Sequence, residues 1–440
     1  MPELLGAASF PSGDLLLIDF GLLRIWSGDR PPLLEEGTAP DHVVERANAA
    51  ADFEIVGPQA VEAAAALDLA VVKGRYAFDV SPNGEPVVSA LGRTGLDASV
   101  RQVPRMSHLA RVRALLDDRP GGAEVPFHGA WAVAVRGLPA GALRVLGERM
   151  DPAGPDRGNW RSVWVECADG VVASSIDCGY VLVDEARLLF ADAAALGGWR
   201  SDDPVDGLFD LAFWGGDVEE VTARVSVPPS VVDDERRWAD LSWDEVRALH
   251  GELEALRAEG WKFAFDFRPH DDHFQVLRQM RSTATESGTI EVGGTPMTGW
   301  FTSWGDGMFP VHRDLAADGT LLRVRVELGA PEIVARQRRF ERLWFGDLAK
   351  SAIASARVAR DGEPVRWLYR EDPDHEQDSG WRVFAGDETQ EYLDDGRNAV
   401  AVPLRELIGA DRELEPLFDQ PGGAAFERAE AGFVRVTGIR

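Results

Sequence analysis

The sequence predicts a multidomain α+β protein. Three observations carry this expectation. The chain of 440 residues exceeds the roughly 100–200 residues of a single domain. Short apolar segments bounded by Gly, Pro and Asp read as strands. Two stretches between residues 242 and 285 carry helix-start signals in an otherwise β-patterned region. The expected parts are a discontinuous β-rich domain (1–202 plus 295–335), an α+β insertion (203–294) and a small C-terminal α+β domain (344–440).

The elements follow in order. Pro11-Ser12-Gly13-Asp14 is a turn, Leu15 to Asp19 a strand, and the apolar segment from Gly21 the return strand of a hairpin. The alanine-rich run Val61 to Ala70 has helical character. Strands are expected at Arg75–Val80, Trp131–Arg136, Leu143–Glu148, Ser162–Glu166 and Val171–Ile176, giving a β-rich unit with little helix. In the insertion, Leu208–Trp214 is strand-like, and Ser242-Trp243-Asp244-Glu245 has the spacing of a capping box opening a helix that Gly260 ends. Lys262–Phe267 is a strand, Asp271–Thr285 a helix and Thr289–Val292 a strand. Arg336–Arg342 is a helical connector. Beyond it, Ala352–Val358, Val365–Tyr369, Trp381–Phe384, Ala399–Val402 and Gly432–Val436 read as strands, with short helices at Thr389–Leu393 and Leu404–Ile408.

Composition narrows the function. The net charge of −28 argues against nucleic acid as a direct ligand, because phosphate contacts need clustered Lys and Arg; it favours basic partners. The longest early apolar run, Leu15 to Leu23, is broken by Asp19, too short for the roughly 20 residues of a membrane span. The N-terminal residues lack the pattern of a secretory signal, so a cytoplasmic location is expected. Cys167 and Cys178, the two cysteines, are expected as reduced thiols. No nucleophile elbow, phosphate-cradling loop or dinucleotide fingerprint is present. No cofactor and no metal are expected.

Two regions carry candidate function. From Tyr369 to Thr389, aromatic residues are spaced among a dense set of carboxylates, as in a binding face built from aromatic anchors inside a polar rim. Ser355-Ala356-Arg357-Val358, Pro364-Val365, Tyr369-Arg370-Glu371, Asp378-Ser379-Gly380-Trp381, Gly386-Asp387-Glu388, Tyr392-Leu393 and Pro416-Leu417 fall in order at compact spacing. This C-terminal series resembles immunity protein family 33 of bacterial polymorphic-toxin systems. The resemblance implies a non-catalytic protein that occludes a protein partner such as a toxin, with Tyr369, Arg370, Glu371, Asp378, Trp381, Asp387 and Glu388 at its face.

The second region comprises Gly13 to Asp19, Ile176 to Asp184 and Ser303 to Val311, followed by Asp314. These blocks resemble domain-of-unknown-function family 4241, which brings no activity with it. They leave an alternative reading open, a hydrolase or small-ligand-binding enzyme using Asp177, Asp306 and Asp314. Against it, the glycines of Trp304-Gly305-Asp306-Gly307 suit a hairpin turn. His270-Asp271-Asp272-His273 reads as a capped helix start rather than a metal site, since its aspartates complement the helix dipole.

Overall fold

The computed structural model describes residues 2–34, 36–37, 40–232, 235–430 and 432–436. It is an α+β structure whose internal contacts divide the chain into two units, 1–330 and 331–440.

The first unit is built on two six-stranded antiparallel sheets. One runs in the order Glu3–Ser9, Ala142–Arg149, Trp160–Glu166, Leu321–Glu327, Gly307–Leu315, Ser174–Val183. The other runs Ser287–Val292, Thr295–Phe301, Arg187–Asp192, Asp14–Ile18, Ala130–Arg136, Ala123–Phe127. The sheets touch where Ser287 Oγ donates to the Leu5 carbonyl and Thr298 Oγ1 to that of Ala7, each at 2.8 Å. Gly6 permits this approach, because a Cβ there would lie 2.3 Å from Thr289 Oγ1.

Leu15, Leu16, Leu17 and Ile18 are all 0% exposed, which explains why this strand lacks polar alternation: both of its faces are covered. Leu16 and Ile18 share a core with Leu115 and Leu116 of the helix His108–Asp118, and with Val276 and Met280 of the helix Asp272–Ser282. The expected return strand after Asp19 is instead a 3₁₀ helix, Phe20–Ile25, because the Asp19 carboxylate caps it by accepting from the Gly21 N–H. Strand Asp14–Ile18 pairs with partners more than a hundred residues away. The helix His108–Asp118, absent from the sequence reading, packs against one face of the second sheet.

Two four-stranded sheets complete this unit. Val72–Lys73, Tyr76–Val80, Ala51–Val56 and Ser99–Val103 form one. Ser230–Val232, Glu235–Ser242, Leu208–Gly215 and Phe263–Pro269 form the other, backed by the helix Trp243–Ala258 through Val246, Leu249 and Leu253.

The second unit opens with the helix Pro331–Trp344 and contains a six-stranded sheet in the order Ala399–Pro403, Ser351–Ser355, Asp378–Phe384, Trp367–Arg370, Ala425–Ala429, Gly432–Arg435. Ser351–Ser355 and Asp378–Phe384 pair in parallel, the other neighbours antiparallel. One face buries Ala352, Ala354, Leu368, Trp381 and Val383 against Leu404, Leu407, Ile408 and Phe418. Every second residue along these strands therefore points the other way, and that opposite face positions the candidate site. Among the described residues, no helix is long and apolar enough to cross a membrane.

Candidate partner-binding groove

Strand alternation builds the groove. Leu368 enters the core, so Trp367 and Tyr369 face away from it. Ala352 and Ala354 do the same and leave Ile353 outward; Val383 does so and leaves Phe384 outward. Register then brings these residues together. Trp367 stands opposite Phe384 and Glu427, while Arg382 stands opposite both Tyr369 and Ile353. The Tyr369 and Phe384 rings stack with centroids 5.9 Å apart and planes 15° from parallel. The result is an open groove of about 710 Å³ with Ile353, Trp367, Tyr369 and Phe384 among its lining residues, and Arg366, Asp387, Glu388, Glu427 and Arg428 supplying polar groups.

The acidic end of the groove is held by its own backbone. Glu388 accepts the N–H groups of Ala385 and Gly386, each at 2.7 Å. Burial acts to raise this carboxyl, but hydrogen bonds from Ser355 and from the backbone outweigh it and keep Glu388 below its ordinary range. Glu388 is thus a clamp on the turn following strand Asp378–Phe384. Asp387 is exposed and takes a 2.7 Å hydrogen bond from Arg357, which holds its carboxyl low. Arg357 also grips Glu363 through two nitrogens. Arg428 donates to the Val365 carbonyl at 2.8 Å and pairs with Asp411 and Glu413. These pairs fix the rim before any partner arrives, lowering the ordering cost of binding.

A second set of charges stiffens the sheet edge. Arg382 forks onto Asp378 at 3.0 and 2.9 Å and reaches Glu371 at 2.5 Å. The Arg382 guanidinium holds the Asp378 carboxyl well below the usual range. Gly380 (φ +79°) permits the local backbone geometry, since a Cβ there would lie 2.3 Å from the Glu371 carbonyl oxygen.

The structure sorts the seven residues expected at the face. Tyr369, Asp387 and Glu388 line the groove. Glu371 is exposed but committed to Arg382. Three expectations are corrected. Trp381 is 0% exposed, its ring packed on Phe418 and Phe426. Asp378 is buried under Arg382. Arg370 follows Tyr369 in the strand and therefore points to the opposite face, its guanidinium 5.9 Å from the Trp381 ring and donating to the Gln420 carbonyl. Conversely, Trp367 and Ile353 belong to the groove and were missed. The period-two pattern Val365-Arg366-Trp367-Leu368-Tyr369 was the signal for Trp367.

The three aspartates of the alternative ligand site do not converge. Asp314 is fully buried and saturated by Arg323, Arg325 and Ser175, at 2.5, 3.0 and 2.5 Å. Asp306 accepts the Ala186 N–H and Asp177 the Gly179 N–H, both in exposed loop or edge positions. Asp306 precedes strand Gly307–Leu315 and Asp314 lies near its far end, a separation of roughly 25 Å along an extended strand. The turn Trp304–Gly307 is also no hairpin, because the strands flanking it belong to different sheets. Cys167 and Cys178 are free, and burial pushes their thiols up to about 12 and about 11.

Residues 352–437 match the family model of the Immunity protein Imm33 domain. The match lies inside the second unit and contains the aromatic floor, the clamped turn and the Arg382 network. It does not extend to the region resembling domain-of-unknown-function family 4241. No curated protein and no solved structure matches the chain.

Proposed function

We propose that the protein is an immunity protein of a bacterial toxin system, and that it neutralises a protein toxin by docking it on the aromatic groove of its second unit. The observation that carries this reading is the coincidence of that groove with the segment matching the Immunity protein Imm33 domain. Trp367, Tyr369 and Phe384 supply anchors of the type that dominates protein interfaces. The net charge of −28 favours a basic toxin, whose approach it would accelerate by electrostatic steering. Inhibition of this kind needs no catalytic group on the inhibitor, only coverage of the toxin's working surface.

The test is co-expression in a susceptible bacterium with the toxin captured on this protein from its native host. Wild type restores growth; Trp367→Ala, expressed at the same level and folded, does not. Full rescue by Trp367→Ala would place recognition elsewhere.

A further inference from the structure

A second site lies in the first unit, where the polar face of the sheet Leu208–Gly215/Phe263–Pro269 meets the helix Asp272–Ser282 across a cleft of about 380 Å³. His270 sits between that sheet and that helix, 0% exposed, its ring stacked on Phe274 at 4.1 Å. Its backbone is pinned at both ends, its N–H to the Leu208 carbonyl and its carbonyl to the Val205 N–H. Among the described residues, each ring nitrogen faces a carboxylate oxygen. Nδ1 lies 3.0 Å from Asp206 Oδ2, and Nε2 lies 3.0 Å from Asp210 Oδ1. Asp210 is itself 2% exposed. The Asp240 carboxylate joins them, and one ligand atom from each of Asp210, Asp240 and His270 lies within 4.8 Å of the others. Asp240 is exposed toward the cleft that Asp210 also lines.

Proton counting leaves two ways to complete this cluster, a second ring proton or a metal ion. A neutral imidazole carries one N–H, while carboxylates at neutral pH only accept. One of the two 3.0 Å contacts therefore brings lone pairs together unless a positive charge sits at Nε2. A second ring proton would serve Asp210 and leave the exposed Asp240 carboxylate to solvent. Asp210 Oδ1 also accepts the Asp240 backbone N–H at 2.9 Å, while Arg278 stands 3.9 Å from the Asp240 carboxylate and Arg237 3.6 Å from that of Asp210, both beyond hydrogen-bond length. A metal ion in place of that proton would use the convergence of Asp210, Asp240 and His270 and draw in the Asp240 carboxylate as well. With metal–ligand bonds of about 2.1 Å, neighbouring donors on an octahedron stand about 3.0 Å apart and opposite ones about 4.2 Å. The spacing from Nε2 to Asp210 Oδ1 is 3.0 Å. Asp206 on Nδ1 supplies the carboxylate–histidine–metal relay that orients a ligating imidazole.

We propose that Asp210, Asp240 and His270 bind a divalent transition metal ion at the mouth of this cleft, with Asp206 as a positioning residue for the imidazole. One nitrogen and two carboxylates suit Zn²⁺ or Mn²⁺ rather than a soft ion. The remaining coordination positions open onto the cleft, leaving room for water or a small ligand. The helix-capping role expected for this segment holds as well, since Asp271 accepts from the Phe274 N–H at 2.8 Å; His270 is the residue that the capping reading left without a task.

The test uses the full-length protein stripped with chelator, titrated with Zn²⁺ by calorimetry and with Co²⁺ by visible absorption. One equivalent should bind saturably at micromolar concentration or tighter. Asp240→Asn, an exposed substitution, should weaken binding at least tenfold with an unchanged circular dichroism spectrum. Asp206→Asn should weaken it about 10–100-fold and shift the Co²⁺ spectrum, with partial recovery in Asp206→Glu. Three results would overturn the proposal: no saturable binding, binding unaffected by Asp240→Asn and Asp210→Asn, or ¹⁵N spectra showing both His270 ring nitrogens protonated in excess Zn²⁺.

Discussion

The two faces of the second unit's sheet should separate stability from recognition, and the tryptophans Trp381 and Trp367 test this. Trp381 is 0% exposed between Phe418, Phe426 and the Arg370 side chain. A tryptophan buries roughly 200 Å², so at about 25 cal/mol per Å² its removal forfeits on the order of 5 kcal/mol. Partial collapse of the surrounding rings brings Trp381→Ala to about 3–5 kcal/mol, a large part of the roughly 5–15 kcal/mol that holds a domain. Trp367 is half-buried on an open groove; with less area lost and no enclosed cavity left, Trp367→Ala should cost under about 1.5 kcal/mol. Amide hydrogen exchange at Leu368 and Val383, whose strands pair through the core, reads the opening free energy of this unit even if the first unit unfolds separately. A loss below about 1 kcal/mol in Trp381→Ala would refute the assignment of that ring to the core.

Two further outcomes are expected. Residues 331–440 expressed alone should give a dispersed amide spectrum, since a separate core of apolar residues lies within that span; a collapsed spectrum would refute independent folding. Asp19 is fully buried, and desolvation raises its carboxyl to about 6 despite N–H bonds from Asp184, Gly21 and Glu185. A folded-state value above the unfolded one means that the native state holds the proton more tightly. The first unit should therefore gain stability as pH falls from 7 to 5, by about 1 kcal/mol from this group. In urea unfolding at the two pH values, Asp19→Asn should lack that increment; an identical pH dependence in both proteins would exclude it.

What the sequence revealed depended on how local the controlling interactions are. The capping box at Ser242 closed as its spacing required, with Ser242 N–H on Glu245 Oε2 at 2.8 Å and Glu245 N–H on Ser242 Oγ. Asp271 likewise caps its helix. The α+β class was legible because strand alternation and helix caps are short-range signals. The site was legible in part. Aromatic and acidic letters marked the region from Tyr369 to Glu388, but their faces were set by non-local pairing, and the buried Arg382–Asp378 fork looks in one dimension like any exposed charge pair. Asp306 and Asp314 pose the same problem, since burial and partners from distant strands decide whether an aspartate is a ligand or a brace. The helix His108–Asp118 buries Arg111 and His108 on its inner side, so its apolar stripe was broken and its period obscured.

The most direct measurement is surface-binding kinetics of the captured toxin against wild type and Trp367→Ala, with Asp387→Lys as an electrostatic control. Docking on the groove requires Trp367→Ala to dissociate faster and lose about 30-fold or more in affinity, the size of an aromatic anchor. Asp387→Lys should mainly slow association at low salt. Unchanged rates in a folded Trp367→Ala protein would contradict docking on this groove.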